Sequence, residues 1–222
     1  AMDGRANIDG VIFLGKEEGI KTGNDPWIWL SLDISGISSD KVVSYIAKDK
    51  IMTSGILTAK VIFEGKKDSY NASGSCKIES GNIETYSFDE LETEFKVENG
   101  IIIIQQLIAQ SESGHIDVKG TIYENNDFQM QATLEAMDLK LLENILEYKG
   151  ISGVCDFTGA ISGKGKEIFL SGFTQLTDTV LFGISMDSAS GRIYFGDDKI
   201  QMSDLLITRN HATARVTGEI QM

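Results

Sequence analysis

Apolar and polar residues alternate through most of this chain. Leu57, Ala59, Val61 and Phe63 occupy every second position of one stretch, with Thr58 and Lys60 in the gaps. Ile116, Val118, Gly120 and Ile122 do the same around Lys119, and Ala214, Val216, Gly218 and Ile220 around Arg215, Thr217 and Glu219. A period of two is the signature of a strand with one apolar face. Between the alternating stretches lie short polar links such as Glu98-Asn99-Gly100, Glu124-Asn125-Asn126-Asp127 and Gly196-Asp197-Asp198. Links of that length join antiparallel neighbours and are too short for parallel crossovers. The pattern therefore predicts a long antiparallel meander. Two segments depart from it. Ser39-Asp40 precedes Val42, Val43, Ile46 and Ala47, and Asp138 precedes Leu141, Leu142, Ile145 and Leu146. That spacing behind a capping residue predicts a short amphipathic helix at each place. Pro26, the single proline, stands before Trp27-Ile28-Trp29-Leu30 and marks the entry to a strand.

The alternation also repeats itself. Ser54-Gly55-Ile56-Leu57 and Ser152-Gly153-Val154-Cys155 are 98 positions apart. The same shift carries Gly65-Lys66 onto Gly163-Lys164, Gly74 onto Gly172, Ile102 onto Ile200, Leu107 onto Leu205 and Val118 onto Val216. One offset held over so many matches predicts two copies of one unit of about 98 residues, each with one short helix. For the two helices the shift is 99, which removes one residue between helix and strand in the second copy. We expect unit 1 over residues 28–125 and unit 2 over 126–222, forming one continuous domain. Residues 1–27, with Ile8, Gly10, Ile12 and Leu14, read as the tail of a preceding unit. Ala1-Met2 reads as an expression scar, so the chain is expected to come from a longer array.

Composition narrows the classes of function. Hydrophobic residues make up 41% of the 222, which is enough to bury a core. With 33 acids against 20 bases, the net charge of −13 argues against a protein that tracks nucleic-acid phosphates. No run approaches the roughly 18 apolar residues that a membrane-spanning helix needs. Cys76 and Cys155 lie far apart in alternating stretches, so they read as inert packed thiols and not as a metal site or disulfide framework.

Catalytic chemistry finds little footing. His115 and His211 are 96 apart, out of step with the repeat, and both read as solvated. Gly163-Lys164-Gly165-Lys166 lacks the spacing of a phosphate loop and reads as a basic hairpin tip. Asp89-Glu90, Glu92 with Glu94, and Asp197-Asp198 lack the order of a calcium loop and are not reproduced in the other copy. Asn71-Ala72-Ser73 spells a glycosylation triplet in mid-strand. The residues thus predict a protein without catalytic, metal or cofactor sites.

A capped helix, then Ser-Gly-x-Leu or Cys opening a strand, glycines at 65 and 74 or at 163 and 172, and a closing Val-x-Gly-x-Ile strand together resemble the AsmA-like family. Within that family the repeat is similar to the TamB type, that of the translocation and assembly module inner-membrane subunit. The resemblance covers about residues 28–222. It departs in the links Gly65-Lys66-Lys67-Asp68 and Gly163-Lys164-Gly165-Lys166, where the family commonly carries a proline. The resemblance implies a mostly β fold, an elongated antiparallel sheet curled into a trough (a β-taco) with an apolar interior. It also implies a periplasmic location as part of an inner-membrane-anchored protein, and a role in moving phospholipids between inner and outer membrane.

An antiparallel meander with one apolar face must cover that face with itself or with a ligand. The residues alone leave a filled core and an open groove equally available; the resemblance favours the groove. The side chains that strand parity assigns to it are, in the first copy, Leu30, Leu32, Ile34, Leu57, Val61, Phe63, Ile78, Phe95, Val97, Ile102, Ile104, Leu107, Ile116 and Val118. In the second they are Phe157, Ile161, Ile193, Phe195, Ile200, Met202, Leu205, Ile207, Val216 and Ile220. Phospholipid acyl chains are the expected partner, with neighbouring repeats of a longer chain. Two other functions fit the same pattern. One is a module that takes up a strand of an outer-membrane β-barrel client by β-augmentation; the other is a structural spacer with a filled core.

Overall fold

The computed structural model describes residues 4–13, 26–42, 53–66, 69–83, 86–143, 149–164, 167–181 and 183–221. Thirteen strands follow one another: β1 (Arg5–Phe13), β2 (Trp27–Ser38), β3 (Thr53–Lys66), β4 (Ser69–Ile83), β5 (Tyr86–Glu98), β6 (Ile101–Ser111) and β7 (Gly114–Ile122), then β8 (Phe128–Asp138), β9 (Ser152–Lys164), β10 (Glu167–Leu181), β11 (Ile184–Gly196), β12 (Lys199–Arg209) and β13 (Ala212–Gln221). They form a single sheet whose spatial order is the order of the chain, from β1 at one edge to β13 at the other. The sheet is not closed. Every pairing for which a register is resolved is antiparallel. The expected antiparallel meander is therefore present. Strand β2 begins directly after Pro26, as expected.

Tight turns make the meander possible. Asn99-Gly100, Asp197-Asp198 and Asn210-His211 each connect two strands, and both residues of each pair have positive φ. That twist matches the right-handed twist of the flanking strands. Asparagine, aspartate and glycine tolerate it best, which is why the punctuation was readable in the sequence.

The expected helices lie only partly within the described residues. The chain turns helical at residues 39–42. In the second place Leu139–Leu142 is a 3-10 helix, capped by the Asp138 carboxylate, which accepts from the Lys140 backbone N–H at 2.9 Å. Ala47 and Ile46, like Ile145 and Leu146, fall outside the described residues. Glu143 then holds the returning chain, its Oε1 accepting from the N–H groups of Gly150 (2.6 Å) and Ile151 (3.1 Å).

Two compact units divide the chain: Ala1–Leu107 with Thr121–Glu124, and Ile108–Gly120 with Asn125–Met222. In the first, Leu57, Ile78, Phe88 and Leu91 are buried, and Ser39 is fully enclosed. Leu57, Ile78 and Leu91 stand directly opposite one another on three adjacent strands. The second unit has the larger core, built from Ala132, Leu139, Ile151, Cys155, Phe157, Leu176, Met186, Ala189 and Leu205.

Phe157 is the keystone of that second core, with 3% of its surface exposed. Gly159 and Gly172 face each other across β9 and β10. A Cβ on either would lie 2.6 Å from the Phe157 ring, so the ring occupies the space that their side chains would otherwise fill. Beside it Thr174 is buried with its hydroxyl donating to the Asp156 carbonyl at 3.2 Å, so the core encloses no unsatisfied group there. Among the described residues no buried side-chain nitrogen or oxygen lacks a partner.

Phe157→Ala is expected to lower unfolding stability by about 3–5 kcal/mol, since it removes a buried aromatic and leaves two glycines that cannot fill the gap. Phe173→Ala, on the other face of β10 and 50% exposed, should change stability by no more than about 0.5 kcal/mol. Urea unfolding of the two variants measures both. Equal losses would contradict the assignment of the faces.

Candidate functional site: an uncharged face in each unit

Backbone register decides which side chains share a face, because residues directly opposite on neighbouring strands point the same way. In the first unit the rows read Ile8–Leu32–Val61–Gly74–Phe95 and Gly10–Leu30–Phe63–Ala72–Val97. Next to them lies Ala6–Ile34–Ala59–Cys76–Thr93. In the second unit they read Met130–Ile161–Leu170–Phe195–Ile200–Ile220 and Ala132–Gly159–Gly172–Ile193–Met202–Gly218. Charged residues are 24% of the chain, yet none stands in these rows. Among the described residues of these strands, aspartate, glutamate, lysine and arginine alternate with the row positions or stand at bulges and strand ends.

Burial is graded along the strands. At the end near residues 39–42 in the first unit, and near Leu139–Leu142 in the second, the face is sealed: Leu57, Ile78 and Leu91 in one, Cys155, Phe157, Leu176, Ala189 and Leu205 in the other. Towards the opposite end the same rows are only half-buried. Leu30, Leu32, Val61, Phe63, Phe95 and Val97 line that part in the first unit, and Ile161, Leu170, Ile193, Phe195, Ile200 and Met202 in the second. The Phe63 and Tyr70 rings stack there with centroids 5.0 Å apart.

Backbone irregularities gather where the face is sealed. The register shifts between Ile34 and Ile37, Ser54 and Ile56, Leu134 and Met137, Thr177 and Val180, Ser190 and Arg192, and Met202 and Leu205. Gly36, Ser80, Ala136, Asp178 and Asp204, close to these shifts, have positive φ. Each bulge adds local twist and re-aims the following side chains. The switch from Met202 to Leu205 keeps both on the apolar face across such a shift.

The structure thus places Leu30, Leu32, Ile34, Leu57, Val61, Phe63, Ile78, Phe95 and Val97 on one face of the first unit. It places Phe157, Ile161, Ile193, Phe195, Ile200, Met202, Leu205, Ile207, Val216 and Ile220 on one face of the second. Val118 packs against the second core. Ile104, Leu107 and Ile116 are half-buried, whereas Ile102 and Ile220 are exposed. Sequence parity missed Phe88, Met186, Leu139 and Ile151, all buried. Phe88 faces Gly81 and Met186 faces Thr179, each beside a bulge of the neighbouring strand at Ser80 or Asp178, while Leu139 opens the helical segment and Ile151 follows it.

The opposite face is ionic. Lys77 on β4 reaches Glu90 at 2.7 Å, Glu92 at 3.0 Å and Glu79 at 3.7 Å. The hydrogen bonds that Lys77 donates to Glu90 and Glu92 hold its ammonium well above the ordinary lysine range, and Lys77 holds Glu90 below the ordinary glutamate range. These acids are therefore charge partners of one lysine. Asp197 accepts from the Tyr194 hydroxyl at 3.2 Å. Burial raises both thiols, Cys155 more enclosed than Cys76, which keeps them protonated and poor nucleophiles. His211 is exposed as expected, while His115 is half-buried. Asn71 is exposed in mid-strand. Gly163 and Lys164 end β9, and Gly165-Lys166 lies outside the described residues. Among the described residues no cluster of three or more histidine, cysteine, aspartate or glutamate side chains could hold a metal ion. No helix there is long and apolar enough to cross a membrane.

Comparison with protein-family models, with curated proteins and with solved structures finds no match to this chain.

Lys77→Met should lower the melting temperature near neutral pH by stranding three carboxylates together. Glu90, with its folded pKa lowered, contributes stability above the glutamate range that is lost as pH falls through its folded value. The gap between wild type and Lys77→Met is therefore expected to narrow in acid. Thermal melts across the acid range check this; a gap independent of pH would contradict it.

Proposed function

We propose that this chain is a non-enzymatic segment of an AsmA-like, TamB-type envelope protein, and that its uncharged face forms a trough shielding phospholipid acyl chains. In that reading it works in the periplasm as part of an inner-membrane-anchored protein. The observation that carries the proposal is the absence of charge from the registered rows of both units, together with their half-buried state over one end of each. A face of that kind stabilises acyl chains by about 0.8 kcal/mol per buried methylene and needs no polar recognition. The sealed end of each unit would close the trough on one side.

A repeat of the TamB type draws support from the strand limits. β4, β5 and β6 recur as β10, β11 and β12 with both ends shifted by 98 residues. β2 recurs as β8 with a shift of 100: Ile28 faces Gly65 as Phe128 faces Gly163, and the bulge at Gly36 recurs at Ala136. By that register the second copy is two residues shorter between the helical segment and the next strand, instead of the one residue read from the helices alone.

Native mass spectrometry of gently purified protein tests the proposal. Phospholipid-sized adducts are expected. They should disappear in Val61→Glu, Val97→Glu or Val216→Glu, and persist in Phe173→Glu, which places the same charge on the other face. A clean mass that stays clean after incubation with phospholipid vesicles would overturn the lipid reading. It would leave a filled spacer or a strand-accepting module.

A further inference from the structure

The two units repeat their apolar rows at a shift of 98 residues, and one row is filled differently. Leu57–Ile78–Leu91 in the first unit and Cys155–Leu176–Ala189 in the second stand at that shift, and all six residues are buried. The next row towards the half-open end reads Ala59–Cys76–Thr93 in the first unit and Phe157–Thr174–Gly191 in the second. Ile34 stands beside Ala59 as Leu134 stands beside Phe157, so the neighbouring strand adds a similar side chain in both. Yet Phe157, Thr174 and Gly191 are buried, whereas Ala59, Cys76 and Thr93 are half-buried. The sealed part of the face is therefore one row longer in the second unit, and one row is two residues of strand, about 7 Å.

Side-chain height accounts for the difference. The Phe157 ring stands over Gly159 and Gly172, 2.6 Å from where their Cβ atoms would be. The counterparts of Phe157, Gly159 and Gly172 in the first unit are Ala59, Val61 and Gly74. Ala59 ends at its Cβ, and Cys76 and Thr93 end at their γ atoms, so none of the three rises over the sheet as the ring does. Over Gly74 stands the short Val61 side chain, 3.2 Å from the Cβ position. The hydroxyls are spoken for in both units: Thr93 donates to the Gln106 carbonyl at 3.0 Å, and Thr174 to the Asp156 carbonyl at 3.2 Å. The first unit thus presents a low, uncharged floor at the place where the second holds a phenyl ring. The filled copy shows what this place takes, an apolar group with no polar partner.

We propose that the tail of one acyl chain fills this place in the first unit, over Ala59, Cys76 and Thr93, and that Phe157 stops a chain one row short in the second. The inference rests on the lipid reading of the face and adds where along it a chain ends. In the first unit the tail runs down to Leu57–Ile78–Leu91, so that unit holds the longer stretch of chain. Phe157 is a stop that sets depth, and Ala59 is its open counterpart. Cys76 lies in the row that the tail would cover, and Cys155 lies in the sealed row of the other unit, so the two thiols report on the slot and on the folded core.

Alkylation by N-ethylmaleimide, followed by peptide mapping, tests it on delipidated full chain with palmitic acid as the probe, held below micelle formation. Without the probe, Cys76 should be modified while Cys155 is not, which also shows that the protein stays folded. Palmitic acid at about ten times its Kd, with the adduct seen by native mass spectrometry, should slow Cys76 about tenfold. Ala59→Phe/Val61→Gly copies the Phe157–Gly159 pair into the first unit. Its circular dichroism should match wild type, it should keep adducts, and its Cys76 should be slow with or without the probe. Adducts that leave the Cys76 rate unchanged would overturn this inference alone, since the chain would then stop short in both units. So would a Cys76 as inert as Cys155 in the lipid-free protein, because the chain would be covering the place itself. So would a folded double variant whose Cys76 stays fast, because a ring would then not fit there. If the double variant does not fold, the wild-type rates decide the question. No adduct with palmitic acid or with phospholipid vesicles would overturn the lipid reading, and this inference with it.

Discussion

A sheet whose strands alternate uncharged and charged positions can bury only one of its faces, and the whole structure depends on keeping charge off that face. Each strand must therefore enter the sheet in a register that aligns its uncharged positions with those of its neighbours. A slip of one residue would bring a row such as Asp33–Lys60–Ser75–Glu94 onto the apolar side. All neighbours are consecutive in sequence, and between most of them a short turn sets that register locally; longer connections join only β1 to β2, β2 to β3 and β8 to β9. The ionic face follows from the same rule. Lys77 meets three glutamates because they are confined to the face it points to.

Glycine and bulges adapt this simple plan to a packed core. Where Gly159 and Gly172 meet, the missing side chains leave a slot that one phenylalanine from the same face fills. Bulges near the helical segments then turn the strands enough to enclose Leu57 in the first unit and Leu205 in the second. Farther along the strands the rows run on without these devices, and burial falls to half. The contrast between the sealed and half-open ends is the physical basis for reading the face as a place for another apolar molecule.

Much of this was legible in the residues. Strict alternation announced the strands and their apolar positions, from Leu30 to Val216, because the side-chain period of a strand is two whatever its neighbours are. Asn99-Gly100 and Asp197-Asp198 announced the turns because few residues accept positive φ. Phe88 and Met186 were not legible, since each sits opposite a strand that bulges beside it, at Ser80 or Asp178, and a bulge leaves no mark in the hydropathy pattern. Thr174 and Thr179 are buried although polar, and only their nearby backbone acceptors make that possible.

By itself the sequence determined the antiparallel meander, the segregation of charge and the candidate apolar face, because each depends on local alternation and turn chemistry. The tertiary structure alone decided how far that face is closed. Whether Phe157 is enclosed while Phe63 stays half-open depends on which side chains meet across strands and where the backbone bulges, and neither is encoded in the period of a single strand.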